Sequence, residues 1–416
     1  MVFACSSNDD SKPNSSAGGV GTQGGVATQG GANASGGSAA GGAAAGGAAA
    51  GGAAAGGIAN GGAVSGGSAS GGASAGAAGS SSVKPCAPPA DKDQPHELLS
   101  QTGCFDSARP TQFSSVVLPY EVMSPLWSDS ADKARGMVLP PGGKIRVLDC
   151  ATTPTECSQG TADSGRWIFP VGTVMIKNFS FDGKLVETRL FERFDETTWV
   201  GYSYAWNEAQ SDATVVPTAR TSTTFNTGQR SIEWTFPARR ECLKCHTVPG
   251  GSTLGPETAQ MNRVVDGVNQ IDHLSSLGLF EKAPAKPYQA PLVTPYASQA
   301  GTPPASATVE QRARSYLHAN CAFCHRPDGE GPSFDARFGV AFADTHMCNT
   351  PPDKGDLGVI GSSIVTPSKP DMSVLWLRIK AAGGDVARMP PIASVHPDVD
   401  GVKVVGDWIS SLTSCP

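Results

Sequence analysis

No stretch of about 18 consecutive apolar residues occurs in the chain, so no segment reads as a membrane-spanning helix. No block of Lys or Arg occurs either, and the formal net charge is −6 over 416 residues. That balance argues against nucleic acid as a partner, because phosphate binding rests on clustered cations. Residues 17–80 lack almost every side chain that builds a core, being nearly all Gly, Ala and Ser. Such a tract cannot offset its own ordering entropy. Its Ala runs are too short to nucleate helix, and the glycines between them stop any helix that starts. A flexible tether is expected there. The other residues, roughly 330, suffice for two compact domains.

What the chain has in unusual number is cysteine, 11 in all. Four lie in two Cys-x-x-Cys-His runs, at Cys242/Cys245 and Cys321/Cys324, and Cys5 stands alone near the front. The remaining six are an even set, for which we expect the pairs Cys86–Cys104, Cys150–Cys157 and Cys348–Cys415. Spacing alone does not fix connectivity, and free buried thiols are the competing reading. Either way the usage suggests an oxidising compartment.

From about residue 84 to 240 the hydrophobic pattern has mostly period two. The run from Thr173 to Phe179 and the run from Lys184 to Phe191 are joined through Asp182-Gly183, a dipeptide that accepts the positive φ of a type I′ hairpin turn. Trp199 to Trp206 and Ile232 to Phe236 alternate again, with turn residues between the runs. A mostly antiparallel β domain is expected, with Glu192, Asp195 and Glu196 as a solvated face rather than an acid/base pair.

Cys242-Leu-Lys-Cys245-His246 and Cys321-Ala-Phe-Cys324-His325 each match the pattern for covalent attachment of a c-type haem. Two thiols three residues apart on one turn can each reach a vinyl group of one porphyrin, and the following His lies under the iron as an axial ligand. Chance predicts roughly 0.005 such runs in a chain of this composition. A thioredoxin-like pair needs a βαβ setting that neither run has, and a single zinc site built from both cysteine pairs would leave both His residues coincidental. Two covalently attached haems, with His246 and His325 on the irons, are the expected cofactors.

The second motif has a helical context. Val309, Ala313, Tyr316 and Leu317 form one apolar face, so residues 308–324 read as a helix that delivers the cysteines. Met372, Leu375, Trp376 and Ile379 recur at helical spacing before Gly383-Gly384, and Arg388-Met389-Pro390-Pro391 follows. A last helix carries Val405, Trp408, Ile409 and Leu412. This order resembles class I cytochrome c over residues 305–416. The resemblance implies His325 and Met389 as the axial pair and a last helix packed on the first.

The first motif follows a strand and turn, Trp234 to Glu241. Ser124-Pro-Leu-Trp-Ser128, Pro170-Val-Gly-Thr173, Trp206-Asn-Glu-Ala-Gln210, Gln260-Met261-Asn262-Arg263 and Asn269-Gln270 occur around it. Together these segments resemble a family of bacterial dihaem c-type cytochromes over residues 98–416. Met261 is the nearest methionine and a candidate sixth ligand, although an apolar residue such as Leu often fills that position in the family. His273, His318, Met123, Met175 and an open position are the alternatives. Arg240, Arg263 or Arg326 could pair with haem propionates, with solvated arginines as the bland alternative.

At the front, Val2-Phe-Ala-Cys5 resembles the lipobox of bacterial lipoproteins, which makes Cys5 the expected lipidation site and implies the remainder of a signal peptide upstream. A flexible tether behind it would reach roughly 40–50 Å from the membrane. The expected organisation is therefore a lipobox-like front (1–16), a tether (17–83), a β-rich domain (84–240), a first haem-binding segment packed on it (241–300) and an all-α cytochrome c domain (305–416). That is a multidomain α+β chain. The resemblances imply an electron-transfer protein of the bacterial cell envelope, tethered by lipid to the outer membrane, with redox proteins as donor and acceptor. Two other classes stay open. One is a dihaem redox enzyme such as a peroxidase; the other is a ligand-binding surface protein with accessory haems.

Overall fold

The computed structural model describes residues 85–416 apart from 158–159, 297–305, 332, 384–386 and 393. Cys5 and the Gly-rich tether lie outside the described residues.

Asp182 and Gly183 both take positive φ, 50° and 78°, and close the expected two-residue hairpin. It joins β5 (Val174–Phe181) to β6 (Lys184–Arg193) in an antiparallel sheet of order β1-β2-β5-β6-β7-β8. The others are β1 (Leu118–Tyr120), β2 (Asp132–Val138), β7 (Trp199–Trp206) and β8 (Ala213–Val215). Two short strands, β3 (Arg146–Val147) and β4 (Trp167–Ile168), pair with each other, as do β9 (Thr221–Asn226) and β10 (Ser231–Phe236).

Successive side chains on a strand face opposite ways, and both faces of the sheet are covered. Val138, Val174, Ile176, Leu190, Tyr202 and Tyr204 form one face, packed with Leu99, Cys104 and Phe105. Met137, Met175 and Phe191 lie on the other face with Trp167, Met261, Ile271 and Phe280. Beyond a bulge at Phe179/Ser180, Phe179 and Phe181 pack with Trp234 and Phe236 of β10. Glu192 corrects one expectation. Its β6 position points it into the covered face beside Tyr202 and Tyr204, so it is buried rather than solvated, and burial pushes its carboxyl up to about 8. Asp195 and Glu196 do face solvent. Asp195 caps the turn by accepting from Thr197 N and Thr198 N at 2.8 Å each.

The helices follow: α1 (Arg239–Cys242), α2 (Thr258–Met261), α3 (Gln270–Ser276), α4 (Val309–Cys321), α5 (Val374–Lys380) and α6 (Val399–Ser411). Between α2 and α3 a small ribbon pairs β11 (Val264–Val265) with β12 (Val268–Asn269). Thr308 caps α4 by accepting from Gln311 N at 3.1 Å, while the Gln311 side chain accepts from Thr308 N at 2.9 Å. Ala313, Tyr316 and Leu317 of α4 share a core with Ile379 of α5 and with Val404, Val405, Trp408 and Ile409 of α6. The helices cross closely because Gly401 has no side chain; a Cβ there would stand 2.3 Å from the Tyr316 ring.

The described residues belong to one compact unit, and buried polar groups show what joins its parts. Asp163, just ahead of β4, is surrounded by Arg337 at 3.0 Å, Arg326 at 3.6 Å and Arg166 at 3.8 Å. Gln260 grips the backbone of Ser124 through both ends of its amide, and Gln270 does the same at Glu121. Asn320 of α4 accepts from Trp127 N at 2.7 Å, and Ser124 Oγ donates to Ser315 O at 2.9 Å. The structure pairs Cys86–Cys104, Cys150–Cys157 and Cys348–Cys415, the three disulfides expected. Among the described residues the cysteines left free are Cys242, Cys245, Cys321 and Cys324.

Candidate functional site

The first Cys-x-x-Cys-His run begins at the end of α1, a single turn too short to hold itself. Its neighbours fix it. Glu241 accepts from Ala238 N at 2.9 Å and pairs with Arg220 at 2.7 Å, while Arg239 lies 4.9 Å over the Tyr202 ring. Cys242 is seated against the sheet because β7 carries Gly201 at that point; a Cβ there would meet the Cys242 sulfur at 2.7 Å. His246 lies 4.1 Å from the Phe191 ring, and its Nδ1 donates to Ser252 O at 2.5 Å. That bond fixes the tautomer and leaves Nε2 as the free donor of electrons to a metal. Burial, helped by the nearby Lys177 charge, holds the imidazole neutral, with its pKa lowered to about 3.

The second run closes α4. His325 N donates to Cys321 O at 2.8 Å, continuing the helical pattern, and the ring stacks on Phe334 at 4.0 Å and 12°. Gly331 packs against the ring, where a Cβ would stand 2.7 Å from it. Burial lowers the His325 pKa to about 4. Met389 is tied to α5 by its N–H to Arg378 O at 3.0 Å, and Arg378 is the cation acting on His325.

The two motifs, far apart in sequence, meet in space. Cys245 and Cys324 lie close enough for their thiols to act on each other, which raises the Cys245 thiol and lowers that of Cys324. Cys324 Sγ also lies 3.6 Å from Lys244 O. Arg326, one residue past the second motif, donates to Pro249 O, as does Arg166 at 3.2 Å. Burial pushes the Cys242 thiol up and that of Cys321 up to about 12, so both stay protonated at neutral pH.

Cys242, Cys245 and His246 line one cavity of about 80 Å³ against the sheet, together with Tyr120, Met175 and Phe191. Two reduced thiols and a neutral imidazole with a free Nε2 are the donor set that covalent haem attachment needs. The space is smaller than a porphyrin. Leu126, Leu254 and Ile392 of its lining come from loops. Among the described residues no group of three or more His, Cys, Asp or Glu is placed to hold a metal ion by itself, so a preformed zinc site of clustered cysteines is not present there. A larger groove of about 810 Å³, lined by Trp127, Lys133, Arg263 and Asp398 among others, contains none of the motif residues.

Met261 is fully buried in the core and does not line the cavity of His246, whereas Met175 does. Met123 packs with Ala259 and Leu292. His318 bonds Glu257 at 2.6 Å through Nε2 and accepts from Phe338 N through Nδ1, and His273 is exposed. Of the three arginines weighed for anion binding, Arg240 is exposed, Arg263 pairs with Glu121 at 2.5 Å, and Arg326 is held by Asp163. Sequence reasoning missed Gly201, Ser252 and the clamps of Gln260 and Gln270. The glutamines stood in segments already singled out, but their role in gripping backbone has no periodic signal. No family model matches the chain, and neither the curated proteins nor the solved structures include a match.

Proposed function

We propose that this protein is a dihaem c-type cytochrome that transfers electrons at the bacterial cell envelope. One observation carries the reading: two Cys-x-x-Cys-His motifs, each with a neutral, half-buried imidazole, lie side by side, with Cys324 Sγ 3.6 Å from Lys244 O. Each covalently attached haem would supply a one-electron iron couple. Cys242 and Cys245 would hold one by adding S–H across its vinyl groups, sulfur to one carbon and hydrogen to the other, and Cys321 and Cys324 the second. His246 would offer Nε2 to the first iron, oriented by Ser252, and His325 would serve the second.

Met389, whose N–H donates to Arg378 O, would be a further ligand to the second iron, in a helical unit of class I cytochrome c type formed by α4, α5 and α6. Met175 takes that role for the first, since it lines the cavity of His246 while Met261 does not. Lipidation at Cys5 and outer-membrane tethering complete the proposal, with redox proteins as donor and acceptor.

The test is stoichiometry. Full-length protein from a host that matures c-type haems should give a pyridine haemochrome spectrum at two haems per chain and keep that mass under denaturing conditions. The Cys245–Cys324 contact favours a second reading, a thiol–disulfide pair linking the motifs. A chain carrying no porphyrin but showing a reducible Cys245–Cys324 bond would establish that reading instead.

A further inference from the structure

Three cations stand in a row across the sheet. Arg135 of β2 is directly opposite Lys177 of β5, which is directly opposite Arg189 of β6. Lys133 stands two residues before Arg135, on the same face. Like charges placed opposite one another destabilise a sheet, so such a row is relieved by a counter-charge or by loss of a proton, and burial together with the neighbouring cations already lowers Lys177 to about 7. Glu187 supplies part of it, but it is spent on Arg189, which it holds at 2.7 and 2.8 Å while also accepting from Trp234. Neither Lys177 nor Arg135 makes an ion pair among the described residues, and the charges acting most strongly on Lys177 are Arg135, Arg189 and Lys133, all positive. Glu121, the acid nearest in effect to Arg135 after Tyr120, is already engaged by Arg263.

The row is also in the right place. Lys177 and Arg189 line the cavity of Cys242, Cys245 and His246. On its other side Lys177 lines a second cavity with Arg135, Ala322 and Phe323, so it stands between the two motifs.

We infer that Arg135, Lys177 and Arg189 are the seat for the propionate carboxylates of the porphyrin attached at Cys242 and Cys245. The inference rests on the dihaem reading above. Carboxylates match the row in charge, and the cationic centre of the sheet lies on the same face as the apolar patch of Met175 and Phe191, the next pair along that face of the ladder. A porphyrin has that same division, with an apolar ring and two anionic arms. The sheet is then a platform for the cofactor rather than a separate ligand-binding domain.

The experiment uses full-length holoprotein carrying Lys177→Gln, Lys177→Arg or Arg135→Gln, titrated spectroelectrochemically beside the unaltered protein. Cations near the iron disfavour its oxidised form, so removing one should lower the potential of one of the two one-electron waves. We expect about a tenfold change in the oxidised-to-reduced ratio at fixed potential, which is about 59 mV for one electron. The other wave serves as an internal reference, and Lys177→Arg should keep the unaltered value. Full haem content with both waves unmoved in Lys177→Gln and Arg135→Gln overturns the inference. So does a saturable shift of the unaltered protein's potential by inorganic phosphate, lost in Lys177→Gln, because the row would then serve a free anion. If Lys177→Gln does not fold, Arg135→Gln decides. Failure of the dihaem reading is separately visible, since the unaltered protein would then hold fewer than two haems.

Discussion

The two motifs occupy opposite kinds of setting. The second ends a 13-residue helix with its own capping box, a core shared with α5 and α6, and a disulfide, Cys348–Cys415, across 67 residues. The first ends a helix of four residues that has no core of its own and rests on β7 at Gly201. One setting is built from local periodicity, the other from a surface assembled by distant strands. The same five-residue chemistry can therefore be mounted on a self-sufficient helix or borrowed onto a sheet.

The largest expected effect separates the two mounts. Replacing Cys242 and Cys245 with Ala should remove one porphyrin and leave the other, and replacing Cys321 and Cys324 should do the reverse. Intact mass under denaturing conditions reads both. Retention of two porphyrins in either variant would break the comparison.

Next comes the junction. Asp163→Ala leaves Arg166, Arg326 and Arg337 without their shared carboxylate, and breaking a buried ion pair on one side costs about 3–5 kcal/mol. Urea unfolding followed by far- and near-ultraviolet circular dichroism should show one weakened transition. Two transitions in the unaltered protein would mean that sheet and helices are independent.

A pH dependence should mark the sheet. Glu192 is raised to about 8 by burial, so the folded state keeps a proton that the unfolded chain releases near 4.5. Its contribution to stability is full below 4.5 and is lost as pH rises toward 8. Glu192→Gln should therefore gain stability over the unaltered protein between those limits, by a few kcal/mol at the upper end. Denaturation curves at about pH 4.5 and 8 that shift equally in both proteins would contradict this. The smallest effect belongs to the helix. Thr308→Ala removes the cap of α4 and should cost about 1 kcal/mol, measured as a lower denaturation midpoint.

The same contrast explains what the sequence discloses. The hairpin at Asp182-Gly183, the strand from Trp199 to Trp206 and the helices α4 and α6 were legible because each is marked by local spacing and turn chemistry. The three disulfides match the pairing expected of an even set taken in chain order, although spacing alone left their connectivity open and Cys348–Cys415 spans 67 residues. Glu192 was misjudged because alternation says which residues share a face, not whether that face is covered. The meeting of Cys245 with Cys324, the seat at Gly201 and the row Arg135–Lys177–Arg189 depend on strand order and register. A one-residue slip would turn each of these cations to the opposite side.

The sulfur contact between the motifs also bears on how the chain is made. Cys324 is the more acidic of the touching thiols, hence the better nucleophile, and it faces a partner within reach. In an oxidising compartment that pair would close on itself and consume one attachment point from each motif. On the dihaem reading proposed above, folding ahead of porphyrin delivery would be self-defeating, and the cofactors would have to be loaded, or both thiols kept reduced, before the strands and helices come together.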